Sequence, residues 1–512
     1  MSSKTIIDLL KKPFNYETGE GLFGFVQADI EVDESDVEKW NELGPIFVNA
    51  TIDEQDLTDY QRWRFLQTPA GQGENRPPLE KRLLIDCLRL TGGHGLFCTD
   101  LLRWYLNKGL KVKKIYALYE AVAGRPFKKY IDSVVRDRQA GDDAKIKLKE
   151  RQEYLEKNRN VLSPATIAAV KQEIFELKDI MSMAERAKVI MNSLYGKTLE
   201  NINKREEVIF VNGFLASCVE ASKPGLKRHI QLDAEGSKFK IRRHKRTLVQ
   251  NTLLTVGHIV LQKAKLILLM FVYDFIYKFH NPSRVMGIEC DTDAYYMAIA
   301  GLCLRDILWK EEDFIDDQGS FDTGFGYSSY QDYLDQYAEA ESMFLSLSDE
   351  TKRVPNLFKL EYVGKRMVCL GSKTYAADGG DRTSCLKFSA KGVQANLNKD
   401  LLNVETYMNV YNQGGVKLTK HAGFRMSNNL TEKCHSQFDN TRMTTYIGSK
   451  IGLNAGNYFK RKAFEDGTTK PHSRYFTVEK GVYFQEEDAR RAREIAAAEL
   501  DNENGDEINE DL

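Results

Sequence analysis

Lys188-Val-Ile-Met-Asn192-Ser193-Leu-Tyr195-Gly196 is the stretch on which the reading of this chain turns. On a helix, Lys188, Asn192 and Tyr195 fall at i, i+4 and i+7 and share one face. Gly196 supplies a natural end to that helix. A cation, an amide and an aromatic on one stripe can hold a nucleoside triphosphate. The ammonium meets the phosphates, the amide hydrogen-bonds, and the ring packs on sugar or base. The same residues also fit an amphipathic helix in which Tyr195 is core and Lys188 a solvated charge.

A second segment lies downstream, Gly287-Ile-Glu-Cys290-Asp291-Thr292-Asp293-Ala294-Tyr-Tyr-Met. Apolar, β-prone residues flank a tight acidic step, a pattern that predicts a strand, a turn and a returning strand. Two carboxylates one residue apart at a hairpin tip repel each other unless a cation or an arginine compensates them. Such oxygen ligands suit Mg²⁺, which takes few carboxylates and completes its shell with water and substrate phosphate. A plain polar turn, where Asp is common, is the competing reading.

Together these stretches resemble the family B DNA polymerases, specifically the protein-primed branch of phages, viruses and mobile elements. Lys188 to Gly196 matches the fingers motif of Lys, three residues, Asn-Ser, one residue, Tyr-Gly. Asp291-Thr292-Asp293 matches the palm motif Asp-Thr-Asp. Lys373-Thr374-Tyr375 resembles the palm Lys-x-Tyr element, and Lys387-Phe-Ser-Ala-Lys391-Gly392 follows it as in this branch. Arg125-Pro-Phe127-Lys-Lys-Tyr130-Ile131-Asp132 resembles the lead into the fingers. The resemblance covers about residues 20 to 400.

It implies an α+β right-hand fold: a palm of antiparallel sheet and helices, a helical fingers hairpin and a mixed thumb. It implies nucleotidyl transfer from a dNTP to a primer 3′-hydroxyl, with two Mg²⁺ ions. Asp291 and Asp293 would be the catalytic and metal-binding carboxylates. Lys188, Asn192 and Tyr195 would bind the nucleotide, and Lys373 with Tyr375 the primer strand. Primer–template DNA, dNTP and a terminal protein primer are the implied partners.

One departure matters. The family's upstream motif, Asp-x-x-Ser-Leu-Tyr-Pro, which carries its other metal carboxylate, does not occur here, nor does the exonuclease domain before it. Gly24-Phe-Val-Gln-Ala-Asp29-Ile-Glu-Val-Asp33 resembles the strand after that motif, so Asp29 is the nearest substitute and a poor one. The chain reads as the C-terminal portion of a polymerase with an incomplete palm. A separate polypeptide, or a longer native product, would then supply the missing aspartate and exonuclease. The alternative is a non-catalytic remnant or subunit that binds DNA and nucleotide.

At 512 residues and 58.6 kDa the chain is long enough for two or three domains with real cores. Its net charge of −1 divides unevenly: Glu486 to Leu512 holds eleven acidic residues against three Arg, leaving the body at about +7. A mildly basic body is compatible with DNA. The eight cysteines are scattered without a Cys-x-x-Cys pair, which favours a reducing, intracellular compartment, the nucleus or a viral replication compartment included. Thr252 to Phe279, the most apolar run, is broken by His258, Lys263, Lys265 and Asp274 and reads as a buried helix, not a membrane span.

The expected organisation is a palm remnant with an insertion over 1–128, fingers over 129–205, palm over 206–400, thumb over 401–485 and an acidic, disordered tail over 486–512. Lys81 to Leu90 and Asp100 to Leu106 are read as helical. Ser163 as N-cap and Pro164 as first helical residue predict two antiparallel fingers helices. Lys171 and Lys178 are weaker candidates for a second phosphate contact. The basic run Lys238 to Arg246 is read as a solvated loop or import patch ahead of a template contact. A palm support helix is expected over Thr247 to Phe279, packed behind the Asp291 sheet. Residues 305–350, rich in acids, glycine and tyrosine, are expected as a surface insertion.

Overall fold

The computed structural model describes residues 2–73, 76, 78–233, 235–316, 320–322, 326–348, 350–351, 354–380, 386–414, 416–426 and 443–472, with backbone alone at 423–426 and 443–446. The acidic tail from Glu486, Cys385 and Cys434 lie outside these residues. The described chain is mixed α+β, and its sheets are antiparallel.

α1 (Ser3–Leu10) opens on Ser2, whose hydroxyl accepts the Thr5 N–H. β1 (Gly24–Glu31) is buried along most of its length because it pairs on both sides. β6 (Lys111–Glu120) runs along one edge, and β4 (Arg89–Leu90) and β5 (Leu96–Cys98) share the other. α3 (Thr99–Asn107) covers this sheet with Leu101, Leu102 and Tyr105. β2 (Ile46–Asp53) and β3 (Glu80–Cys87) form a separate hairpin that encloses α2 (Asp59–Leu66). Lys81 to Leu90, expected as helical, is therefore strand. Eight paired residues and the burial of Ile52 and Ile85 against Phe65 outweigh local helix preference.

The pair of antiparallel helices expected around Ser163 and Pro164 forms as the sequence predicts. α4 (Lys128–Asn158) and α5 (Pro164–Thr198) lie antiparallel, and the Ser163 hydroxyl accepts the Thr166 N–H at the start of α5. Small residues bring them close: a Cβ built on Gly141 would lie 2.2 Å from the Ala184 Cβ. Gly196 does not end α5. The helix runs on to Thr198, whose hydroxyl donates to the Tyr195 carbonyl at 2.7 Å and satisfies the last turn.

A small unit follows: β7 (Glu206–Asn212), α6 (Phe214–Ala221), β8 (Leu226–Gln231) and β9 (Lys238–His244), with β9 central. The basic run expected as a loop is thus mostly the middle strand of a sheet. α7 (Leu254–Met270) continues through a π-helical turn, Phe271–Ile276, into α8 (Tyr277–Phe279). It starts seven residues later than Thr247. Leu253 makes no side-chain cap, and the Gln250 amide donates to the Thr252 hydroxyl outside the helix. Phe271 meets Tyr295 at 6.3 Å between ring centroids, so this helix does back the Asp291 strands.

Those strands are β10 (Val285–Asp291) and β11 (Ala294–Ile299), paired only with each other among the described residues. The 305–350 segment is not a surface insertion. Its helix, α9 (Tyr330–Phe344), turns Tyr333 and Tyr337 inward, and Phe314 and Tyr327 join them in the main core with Trp40, Tyr105, Phe275 and Phe279. Most of its described acids face outward, while Glu341 is buried and accepts the Tyr337 hydroxyl at 2.8 Å, so composition describes only one side of the segment.

β12 (Arg366–Gly371), β13 (Thr374–Asp378) and β14 (Leu386–Ala390) make a three-stranded meander. α10 (Val404–Gln413) packs on it through Tyr407 and Val410. The hairpin of β15 (Val416–Met426) and β16 (Met443–Asn454) completes this mixed unit. Residues 455–463 then strap back onto the β2–β3 hairpin. Gln61 Nε2 donates to the carbonyls of Tyr458 (2.9 Å) and Arg461 (2.8 Å), and Phe459 is buried beside Phe65 and Ile85. Arg461 pairs with buried Asp86. No described helix is long and apolar enough to cross a membrane. The six described cysteines are free thiols.

Candidate active site at two facing hairpins

The turn that joins β10 to β11 is two residues long, Thr292 and Asp293, between the paired Asp291 and Ala294. The Asp293 N–H donates to the Asp291 carbonyl at 2.7 Å across a single residue, Thr292, held at φ +60°. A positive φ of this size is uncommon for a non-glycine residue. A β-branched residue there costs of order 1–3 kcal/mol. Its effect is to put both carboxylates at the tip of the hairpin, Asp291 half-buried and Asp293 exposed.

The β12–β13 hairpin faces this tip, and it too carries a strained residue, Lys373 at φ +60°. Lys373 Nζ lies 2.8 Å from Asp291 Oδ1. That carboxylate holds the ammonium above its ordinary pKa. The Lys373 N–H donates to Glu289 Oε1 at 2.6 Å, and the Cys369 thiol donates to Glu289 Oε2 at 3.6 Å. Glu289 lies two residues before Asp291 on one face of β10, and burial raises its carboxyl. Burial also pushes the Cys369 thiol up to about 12. Tyr375 is nearly buried and shares a 3.0 Å hydrogen bond between hydroxyls with Tyr296 of β11. Four polar contacts thus lock the hairpins together tip to tip.

The structure therefore brings together Asp291, Asp293, Lys373 and Tyr375 of the sequence-predicted set. Lys188 approaches from α5. It adds to the depression of the Glu361 carboxyl, which is caused chiefly by Lys387 at 3.0 Å. Lys387 in turn lies 6.0 Å from the centroid of the Tyr296 ring. Lys188 and Asn192 are exposed and Tyr195 half-buried. No described hydrogen bond joins Asn192 or Tyr195 to either hairpin. Lys171 and Lys178 are exposed on α5.

Asp29 does not point into this constellation. It is buried on β1, where its Oδ1 accepts the Gly93 N–H at 2.8 Å and its Oδ2 the Tyr116 hydroxyl at 2.9 Å. Both oxygens are occupied by the β1 sheet. Among the described residues no three His, Cys, Asp or Glu side chains converge to hold a metal ion. Asp291 and Asp293 still suit a hard divalent cation that takes only one or two carboxylates, and the Lys373 ammonium already sits on Asp291 as a cation would.

Glu289, Cys369, Tyr296 and Glu361 are the site residues that motif reading passed over. Glu289 was findable, because strand alternation places it on the Asp291 face. The others depend on pairing between segments distant in sequence. Comparison with protein-family models, curated proteins and solved structures gave no match.

Proposed function

We propose that this chain is the nucleotide- and primer-holding part of a DNA-directed DNA polymerase. In this reading α4 and α5 are the fingers and the β1 sheet, α7 and the two hairpins are the palm. α10 with β15 and β16 is the thumb. The observation that carries it is the meeting of Asp291 with Lys373 at two strained hairpin tips, 2.8 Å apart. Strain at a tip persists where surrounding structure over-determines it, and function is a common reason.

Asp291 and Asp293 would hold Mg²⁺, which when bound acidifies a primer 3′-hydroxyl and neutralises triphosphate charge. The chain's own residues do the positioning. Lys373 steadies a primer phosphate next to Asp291, and the Tyr375–Tyr296 hydroxyl pair fixes the hairpin that presents it. Lys188 offers an exposed ammonium to the incoming phosphates, with Asn192 and Tyr195 on the same helical stripe. Such a site accelerates nucleotidyl transfer by placement and charge stabilisation.

A second reading, a non-catalytic subunit that binds DNA and nucleotide, is favoured by Asp29, whose oxygens are turned into the β1 sheet. Both readings predict that the purified chain binds primed DNA. Because the hairpins supply one side of a metal site, it should extend that primer poorly with dNTP and Mg²⁺. Primer-extension gels with the wild type and Asp293→Ala test this. Robust extension lost in Asp293→Ala would overturn the incomplete-site reading, and absence of both primed-DNA and dNTP binding would sink the polymerase assignment.

A further inference from the structure

The small sheet between the fingers and α7 has two unlike faces. Residues directly opposite in an antiparallel pair lie on one face. Ile209, Ile241 and His229 form one such row, and Val211, Phe239 and Gln231 the next. This face packs on α6: Phe239 and Ile241 are buried, His229 meets the Ser217 hydroxyl at 3.1 Å, and Phe239 meets Phe214. The other face carries Val208, Arg242 and Arg228 in one row and Phe210, Lys240 and Ile230 in the next, with Lys238 beyond.

On that outer face Phe210 is 68% exposed and Val208 45% exposed. The informative feature is a phenylalanine left in water among cations, on a sheet whose other side buries Phe239 and Ile241 beneath α6. Lys240 Nζ lies 5.8 Å from the Phe210 ring centroid. Glu206 neutralises Arg242 at 2.6 Å and Lys227 at 3.0 Å. No carboxylate among the described residues pairs with Arg228, Lys238 or Lys240. Lys238, Lys240 and Arg242 follow one another along β9 at two-residue steps, about 6.6–6.8 Å each. Cations at that interval beside an open aromatic ring match a strand of phosphates with unstacked bases.

We propose that this outer face is a stacking platform for single-stranded DNA, with Phe210 taking a base and Arg228, Lys238 and Lys240 the flanking phosphates. A duplex hides its base faces and cannot use Phe210 in this way. The choice of DNA rests on the polymerase reading, which it deepens by giving the unpaired strand a place on the molecule.

The test uses the full chain and a fluorescein-labelled oligo(dT) of roughly 16 nucleotides, in anisotropy titrations at several salt concentrations, without dNTP or divalent cation. Phe210→Ala is expected to raise Kd about tenfold, and Phe210→Trp to keep or improve affinity. Lys238→Gln with Lys240→Gln should lower the slope of log K against log salt by about 1.4. Because Phe210 is exposed, the circular dichroism of Phe210→Ala should match the wild type.

Equal affinity in wild type and Phe210→Ala would overturn the platform. So would equal dependence on Phe210 for a blunt duplex, or binding confined to the matching RNA oligomer. A chain that extends primers but binds oligo(dT) without regard to Phe210 defeats the platform alone. One whose oligo(dT) binding needs Phe210 but which never binds dNTP defeats the polymerase reading alone.

Discussion

Thr292 and Lys373 are two residues out of place by backbone standards, both at φ +60° and both at hairpin tips that touch. Glycine would relieve either, yet each carries a side chain the site uses. Thr292 Oγ1 donates to Asp291 Oδ1 at 3.2 Å, and Lys373 pairs with the same oxygen. Behind them half-buried Glu289 accepts the Lys373 N–H, and its partial burial keeps its carboxyl above the ordinary 4.5. The folded chain therefore binds that proton more tightly than the unfolded chain. Its contribution to stability is fully present below the ordinary value and is lost as pH rises through the raised one. Glu289→Gln keeps an acceptor for Lys373 and removes the titration. Urea midpoints across a pH series spanning the carboxylate range should then fall less steeply than in the wild type; parallel curves would show that Glu289 is not the titrating group.

At the scale of elements, the α4–α5 hairpin rests on close approach as well as on caps. Gly141→Ala gains about 0.5–1 kcal/mol of helix preference, but the new Cβ would sit 2.2 Å from Ala184. Overpacking of that kind costs about 1–3 kcal/mol, so a net loss is expected. Hydrogen exchange should show it as reduced protection around Val134–Ala144 and Ala184–Ala187, with β1 amides unchanged. The α4–α5 pair and the β10–β11 turn were legible because their signals are local: Ser163 and Pro164 announce a helix start, and the Asp291–Asp293 step announces a turn. The end of α5 was not legible, since a threonine hydroxyl two residues on did the work expected of Gly196. Glu80–Cys87 was misread because its strand character comes from Ile46–Asp53, more than thirty residues earlier in the chain. The 305–350 segment misled through its acids, and its tyrosines reveal their burial only in the presence of Phe275 and Phe279.

Across the whole molecule, the strap at 455–463 ties the far end of the described chain to its first third. Asp86 is buried and accepts the Gly44 N–H at 3.0 Å as well as the Arg461 guanidinium. Arg461→Ala leaves that carboxylate without its cation, a change that costs roughly 3–5 kcal/mol. Urea denaturation should register it, and a loss under about 1 kcal/mol would mean that the pair behaves like an exposed one. Nothing in the local sequence around either residue signals this pairing. Tyr458, next to Phe459 in the same strap, stands against Gly371, which flanks the turn that holds Lys373. Asp86 and Arg461 are 375 residues apart. A ribosome adding about 5–20 residues per second needs roughly 20–75 seconds to cover that interval. For that time the nascent β2–β3 hairpin holds a carboxylate whose counter-ion has not been made. Among the described residues, the face that bears the candidate site is consequently late to close, long after α4 and α5 have been translated.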